Sequence, residues 1–174
     1  KYASSKAIGE DLLLEKFPEA TILRPSIVFG KDDNFFNKFS RMATFSPFLP
    51  LIGGGKTLFQ PVYVKDVSRA VLSALDTAET NGRLYELGGP SIYSFKELID
   101  LTMQISKKPR LLWDLPFWLA HLQARCMEKL PNPMLTCDQL ELLKRDNIVS
   151  KEALTLSDLD ISATDCKPIL PTYL

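Results

Sequence analysis

Apolar residues recur at helical spacing where the chain opens. Ala3, Ala7, Ile8, Leu12 and Leu14 fall near one face, and Pro18 closes the segment. The stretch "ATILRPSIVFG" follows, with β-branched and apolar runs that read as strand, Pro25 as a break and Gly30 as the end. A helix leading closely into a buried strand predicts an α/β fold. Between 31 and 60 the pattern loosens: "NFFNKFSRMATF" predicts a short helix and "SPFLPLIGGGK" a loop. "PVYV" reads as a short strand. Val67, Ala70, Val71, Ala74 and Leu75 then form one helical stripe, with Asp66 placed to cap it. "RLYELGG" reads as the next strand, ended by Gly88 and Gly89.

Two later helices announce their starts. Ser94 with Glu97 makes a capping box stapled by Tyr93 and Leu98, and Thr136 with Gln139 repeats it with Leu135 and Leu140. Between them Pro116 opens a helix through "FWLAHLQARCMEKL", stopped by Pro131 and Pro133. The tail after Ser150 is polar with scattered Leu and reads as short helix and loop. The organisation expected is residues 1–90 as the C-terminal portion of a dinucleotide-binding sheet, with 31–60 an irregular insertion, and 91–174 as a small, mainly helical domain. A chain that opens on a helix with no approach to it points to a piece of a longer protein.

Composition narrows the function classes. At 45% hydrophobic and 24% charged residues the chain is globular in character. Its 21 basic and 21 acidic side chains cancel, which argues against a nucleic-acid footprint. Cys126, Cys137 and Cys166 are widely spaced and have only His121 to join them, so they read as free thiols with no metal site. No run is long enough for a transmembrane helix. The stretch from Leu111 to Leu119, with Trp113 and Trp118, is interrupted by Asp114; it reads either as a docking face, on a membrane complex or at headgroup level, or as core. "GGGKT" is not a phosphate-binding loop, because the first Gly of that pattern falls on Pro50.

Tyr2 and Lys6 are the candidate chemistry. One helical turn puts them on one face, and a nearby ammonium favours the phenolate, so the phenol could serve as an acid or base near neutral pH. The alternative is an ordinary solvated helix pair.

Context gives this pair weight. Tyr-x-x-x-Lys on a helix, then Arg24, Pro25, Val28, Phe29 and Gly30, then Val64, Lys65, Asp66 and Val67, together resemble the extended members of the short-chain dehydrogenase/reductase superfamily, in the family's order. The resemblance implies the C-terminal part of a Rossmann-type parallel sheet and NAD or NADP as cofactor. It implies Tyr2 as proton donor or acceptor, Lys6 on the nicotinamide ribose, and backbone of Pro25, Ser26 and Ile27 beside the nicotinamide. The Gly-rich pyrophosphate turn has no counterpart in these residues and would lie in an N-terminal half of the same protein.

The substrate side separates the branches. Nucleotide-sugar epimerases and dehydratases often carry an Arg where this chain has Phe59, and Phe cannot grip a diphosphate. Phe59 and Gln60, in "FQPVYV", and the later "CDQLELLKRDNIV" are instead similar to the accessory NAD(P)H-binding subunit of respiratory complex I. That resemblance implies a structural or assembly role with complex I subunits as partners, cytoplasmic or on the mitochondrial matrix side, and it allows a peripheral place on the inner membrane. The retained Tyr2 and Lys6 keep open an active NAD(P)-dependent oxidoreductase or epimerase, and an interaction fragment is the third reading.

Overall fold

The computed structural model describes residues 2–129, 133 and 135–174, with side chains from residue 5 onward. The chain begins with helix α1 (Tyr2–Lys16) and strand β1 (Ile22–Pro25), and "ATILRPSIVFG" divides at Ser26, leaving β2 at Val28–Phe29. Strand β1 lies parallel to β6 (Leu84–Leu87), pairing Ile22 with Leu84 and Pro25 with Leu87. Strand β2 lies parallel to β5 (Val62–Tyr63). Both pairs need a crossover, which helix α3 (Val64–Asp76) supplies for β1 and β6, so the α/β class is that of the sequence.

The stripe on α3 is only partly covered. Ala70 is buried and Val67 packs with Val62, Tyr85 and Leu87, whereas Val71 and Leu75 are exposed. Asp66 is not the cap: Tyr63 holds that position without a side-chain bond. Asp66 is instead fully buried one turn inside, accepting from Arg69 Nη1 at 3.1 Å and from the backbone N–H of Thr164 at 2.8 Å. A buried carboxylate needs such partners, and here the Thr164 bond fastens the C-terminal segment to α3.

The loop expected over "SPFLPLIGGGK" is a correction. Helix α2 (Phe36–Phe45) is followed by strand β3 (Phe48–Ile52), parallel to β8 (Leu111–Leu115) with Pro50 opposite Trp113. Pro50 cannot donate to a ladder, but alternate residues of a two-stranded parallel pair turn their N–H outward, and the Leu111 N–H to Pro47 carbonyl bond puts Pro50 among these. Gly53, Gly54 and Gly55 then turn the chain with φ of +61°, +72° and +66°, a left-handed run open only to glycine at low cost. Leu49 and Leu51 point into the main core with Phe29, Phe36, Phe95 and Leu98.

Strand β4 (Leu58–Phe59) pairs antiparallel with β7 (Tyr93–Ser94), which feeds α4 (Phe95–Ile105). Both predicted capping boxes form, at Ser94–Glu97 and at Thr136–Gln139 ahead of α6 (Cys137–Leu142). Pro116 is the cap of α5 (Phe117–Met127), which ends before Pro131, a stop that lies outside the described residues. The aromatic stretch divides. Leu115 is buried and Phe117 and Leu119 pack behind it, but Trp113 and Trp118 are 59% and 70% exposed. The tail forms short helical turns, including α7 (Cys166–Ile169). No helix among the described residues is long and apolar enough to cross a membrane.

Candidate functional site

The turn from β1 to β2 organises the site. Ser26 donates its backbone N–H to the Leu87 carbonyl at 2.9 Å, which carries the β1–β6 ladder one residue past the strand, and Ile27 accepts from Val62 N–H at 2.9 Å. The Ser26 hydroxyl donates to the Asn147 carbonyl at 2.8 Å. These bonds consume the polar groups of Ser26 and leave Pro25 exposed and the Ile27 side chain half-buried. The turn therefore offers an apolar edge, which suits the flat face of a nicotinamide ring.

An ion pair ties helix α1 to the strand that leads into this turn. Arg24 Nε donates to Glu10 Oε2 at 3.0 Å, with Arg24 Nη2 on the same oxygen. That contact holds the guanidinium above even its usual pKa, first through the hydrogen bond and then through the carboxylate charge, with burial opposing. Lys6 is exposed on α1, one turn before Glu10. The side chain of Tyr2 lies outside the described residues.

Ile27 opens on a cavity of about 770 Å³, whose wall also includes Phe59. Phe59 belongs to a cluster of rings, 6.4 Å from Phe35 and 6.3 Å from Phe95. Helix α2 supplies Lys38, Phe39 and Met42 to the wall, and α6 supplies Gln139 and Leu142. Lys38 is half-buried, and that burial, helped by the charge of Arg41, pushes its ammonium below the usual lysine range. The candidates thus separate: Ile27 and Phe59 meet at the cavity, whereas Pro25, Ser26, Gln60 and Lys6 are not in its described lining.

Gln60 has a different task. Its Nε2 donates to the Gly89 carbonyl at 2.8 Å, and its Oε1 accepts from Val149 N–H at 3.0 Å. A Cβ on Gly88 would stand 2.6 Å from the Gln60 amide carbon, so only glycine lets the amide cross there. Gln60 clamps the end of β6 to the segment around Asn147.

Sequence reasoning missed Asn147 and Asp33. Asn147 donates to the Leu58 carbonyl at 2.8 Å and accepts at its own carbonyl from Gln60 N–H at 3.1 Å and from Ser26, extending the β4 edge beneath the turn. Its signal was the polar "RDN" after an amphipathic helix, which says nothing of a backbone role. Asp33 Oδ1 accepts from the backbone N–H groups of Phe35, Phe36 and Asn37 at 2.9, 2.6 and 3.2 Å, and its Oδ2 accepts from the Tyr173 hydroxyl at 2.6 Å. That Asp ahead of "NFFNKF" was a readable cap; Tyr173 was not.

His121 Nε2 lies 3.2 Å from Glu141 Oε1, linking a half-buried imidazole on α5 to an exposed carboxylate on α6. The three cysteines are free, and no group of metal-ligating side chains occurs among the described residues.

No protein-family model matches the chain. It is 39% identical over 168 residues to the mitochondrial NADH dehydrogenase [ubiquinone] 1 alpha subcomplex subunit 9 of Arabidopsis thaliana, a match covering 90% of this chain and 42% of that protein. The Mus musculus subunit of the same name is 31% identical, covering 94% and 44%. The NADH-ubiquinone oxidoreductase 40 kDa subunit of Neurospora crassa is 28% identical, covering 100% and 46%. The chain spans less than half the length of these relatives. In fold it is similar to a dTDP-glucose 4,6-dehydratase of Bacillus anthracis solved with NAD, at a TM-score of 0.69 and 16% identity over 99% of this chain and 50% of that one. A dTDP-4-dehydrorhamnose reductase from the same organism, solved with NADP, superposes at 0.66 and 16% identity over 99% and 53%.

Proposed function

The chain is homologous to the alpha subcomplex subunit 9 and 40 kDa subunits of mitochondrial NADH dehydrogenase, and on that premise we propose that it is part of an NAD(P)(H)-binding, short-chain dehydrogenase/reductase-like subunit with a structural or assembly role in that complex. The observation that carries this reading is the 39% identity across 90% of the chain. In the whole protein, residues 1–90 close the dinucleotide-binding sheet and 91–174 form the small domain. Ile8 and Leu12 of α1 and Phe17 just after it are exposed here, and an upstream half of the same protein is the natural cover for them. The protein works on the matrix side, peripheral on the inner membrane.

The cofactor is NADP or NAD, and the residues present fit its nicotinamide end. Pro25 and Ile27 would give the ring an apolar edge, which Ser26 holds in place through Leu87 and Asn147, and Lys6, exposed on α1, would hold the ribose. A bound nicotinamide supplies hydride transfer; in the structural role it serves as a folding staple.

The test uses the full-length protein. A ligand that binds only the native state stabilises it by about 2.7 kcal/mol at a hundredfold excess over Kd. NADPH should raise the melting temperature without being consumed, and the protein should co-purify with membrane-bound NADH dehydrogenase. A protein that never associates with that complex and oxidises NADPH with a small carbonyl compound overturns the reading.

One observation favours the second reading, an active oxidoreductase or epimerase: Tyr2 and Lys6 share a helix that Arg24 pins to the cofactor-side strand. In that case Tyr2→Phe lowers turnover by roughly a hundredfold, with cofactor affinity little changed. Equal turnover removes Tyr2 from the mechanism.

A further inference from the structure

The β3–β8 ribbon is bare at one end. In its parallel register Phe48 lies opposite Leu111 and Pro50 opposite Trp113, and paired residues project to the same side. Farther along that side, Ile52 and Leu115 pack under Ala120 and Ala124 of α5. At the near end Phe48, Leu111 and Trp113 are exposed. Phe45, the last residue of α2, adds a ring that is almost wholly exposed, three residues before Phe48. Adjoining apolar side chains left open in this way mark an interaction surface.

Cations border this surface. Arg41 stands one helical turn before Phe45, on the same face of α2. Lys108 Nζ donates to Thr44 Oγ1 at 2.9 Å, and Arg110 Nε donates to the Ala43 carbonyl at 2.7 Å, so both lie against the last turn of α2. Exposed Lys107 precedes them. Those acceptors carry no formal charge, so the charges of Lys108 and Arg110 are not cancelled. Residues 34–65 and 101–113, which supply α2, β3 and the run into β8, contain no Asp or Glu. Asp100, beside Lys107 and Arg110, is held by Lys96 Nζ at 2.6 Å. Asp114 is exposed, but alternation along β8 turns it to the opposite side from Trp113. Even with Asp114 counted, positive charge is in clear surplus.

We propose that this face docks on a bilayer surface that carries anionic phospholipid. Phe45, Phe48, Leu111 and Trp113 enter at the boundary between headgroups and acyl chains, and Arg41, Lys107, Lys108 and Arg110 meet the phosphates. Aromatic rings suit that boundary, and cations around them find lipid phosphate without the matched geometry that a protein partner requires. No helix among the described residues crosses a membrane, so the contact is peripheral. The proposal rests on the reading of a protein peripheral on the inner membrane and names the surface that puts it there. Each basic residue near an anionic surface adds roughly fivefold to affinity, and salt screens that gain.

The experiment is co-sedimentation of the full-length protein with phosphatidylcholine vesicles and with the same vesicles doped with phosphatidylglycerol, at low and high salt. The doped vesicles should bind about tenfold more tightly or better, and high salt should remove most of that preference. Arg41→Glu with Lys107→Glu, both at exposed positions, should weaken binding to doped vesicles by about tenfold or more and leave phosphatidylcholine binding unchanged. Phe45→Ser with Leu111→Ser, at side chains 84% and 67% exposed, should weaken binding to both kinds of vesicle. Both double variants should keep the melting temperature within a few degrees. Equal affinity for the two kinds of vesicle, no binding to the doped ones, or wild-type binding in either double variant overturns the proposal. So does a charge variant that binds vesicles normally but no longer co-purifies with detergent-solubilised NADH dehydrogenase, which would make the face a protein contact. Co-purification of the wild type in detergent is scored separately: its failure sinks the subunit reading whatever the vesicles show.

Discussion

Arg24 donates to Glu10 across the gap between β1 and α1, Nε to Oε2 at 3.0 Å, and this pair sets the level of the candidate chemistry. A helix rises about 1.5 Å per residue, so Lys6 lies roughly 6 Å along α1 from Glu10. A strand advances about 3.3 Å per residue, so Ser26 lies roughly 6.6 Å beyond Arg24. The pair thus joins α1 to β1 one helical turn from Lys6 and two residues before the Ser26 turn. Arg24 is about half exposed, so the pair is worth ~1 kcal/mol or less to the fold. Arg24→Met should therefore shift the melting temperature of the full-length protein by only a few degrees, yet weaken NADPH several-fold by loosening α1. A large loss of stability with unchanged NADPH affinity would make the pair a fold device alone.

Asp33 and Tyr173 tie the C-terminus to the start of α2, and their bond has a pH signature. Burial pushes the Tyr173 phenol up, and the hydrogen bond to Asp33 and that carboxylate's charge push it further. A phenol in the unfolded chain ionises near pH ~10. Stability from the raised pKa is thus complete below about pH 10 and declines above it, where the unfolded chain loses a proton that the native state keeps. Tyr93, raised mainly by its burial, acts in the same direction. Tyr173→Phe should cost about 1–2 kcal/mol at neutral pH, because it leaves one Asp33 oxygen without its donor, and should reduce the decline above pH 10. Urea midpoints measured from pH 7 to 11 check both effects.

What the sequence made legible was local. Ser94 with Glu97 and Thr136 with Gln139 are self-contained signals, since the cap and its reciprocal partner lie three residues apart. What it hid was non-local. Strand β3 contains Pro50 and finds its partner only at Leu111–Leu115, so neither segment reads as a strand by itself. Gln60 stands where the resemblance suggests a substrate-side residue, but its amide is consumed by Gly89 and Val149, contacts that exist only once three separated segments meet. Phe59 was legible as an absent cation; that it lines a large apolar chamber depended on α2 and α6 closing around it.

The thiols of Cys126 and Cys166 should differ sharply in reactivity. Cys166 is buried, and that burial, aided by the charge of Asp165, pushes its thiol up to about 11. Cys126 is exposed. Thiolate is the reactive form, so a disulfide reagent at pH 8 should label Cys126 within seconds to minutes and reach Cys166 only on unfolding. Fast native-state labelling of Cys166 would mean that the contact of α7 with the main core opens readily.

Trp113 and Trp118 test whether this surface is a docking face. Both indoles are exposed, while Leu115 between them is buried against α5 with Ile52, Ala120 and Ala124. On β8, Leu111 and Trp113 project to the same side, and on that side Phe48 lies opposite Leu111, so the two strands present a joined apolar surface to solvent. Tryptophan at such a surface carries a large apolar area with one N–H that tolerates water, which suits a protein interface or the headgroup level of a bilayer. Replacing Trp113 and Trp118 together by Ser removes little that is buried, so the full-length protein should keep its fold to within about 1 kcal/mol. Leu115→Ala instead empties a packed position and should cost about 2–5 kcal/mol. If the surface docks on the NADH dehydrogenase or its membrane, the double variant should leave the membrane fraction while its melting temperature holds. Leu115→Ala should lower stability first and association only as the protein unfolds. Undiminished sedimentation of the Trp113/Trp118 double variant with washed membranes would exclude this face and turn attention to the exposed apolar residues of α1 and α3.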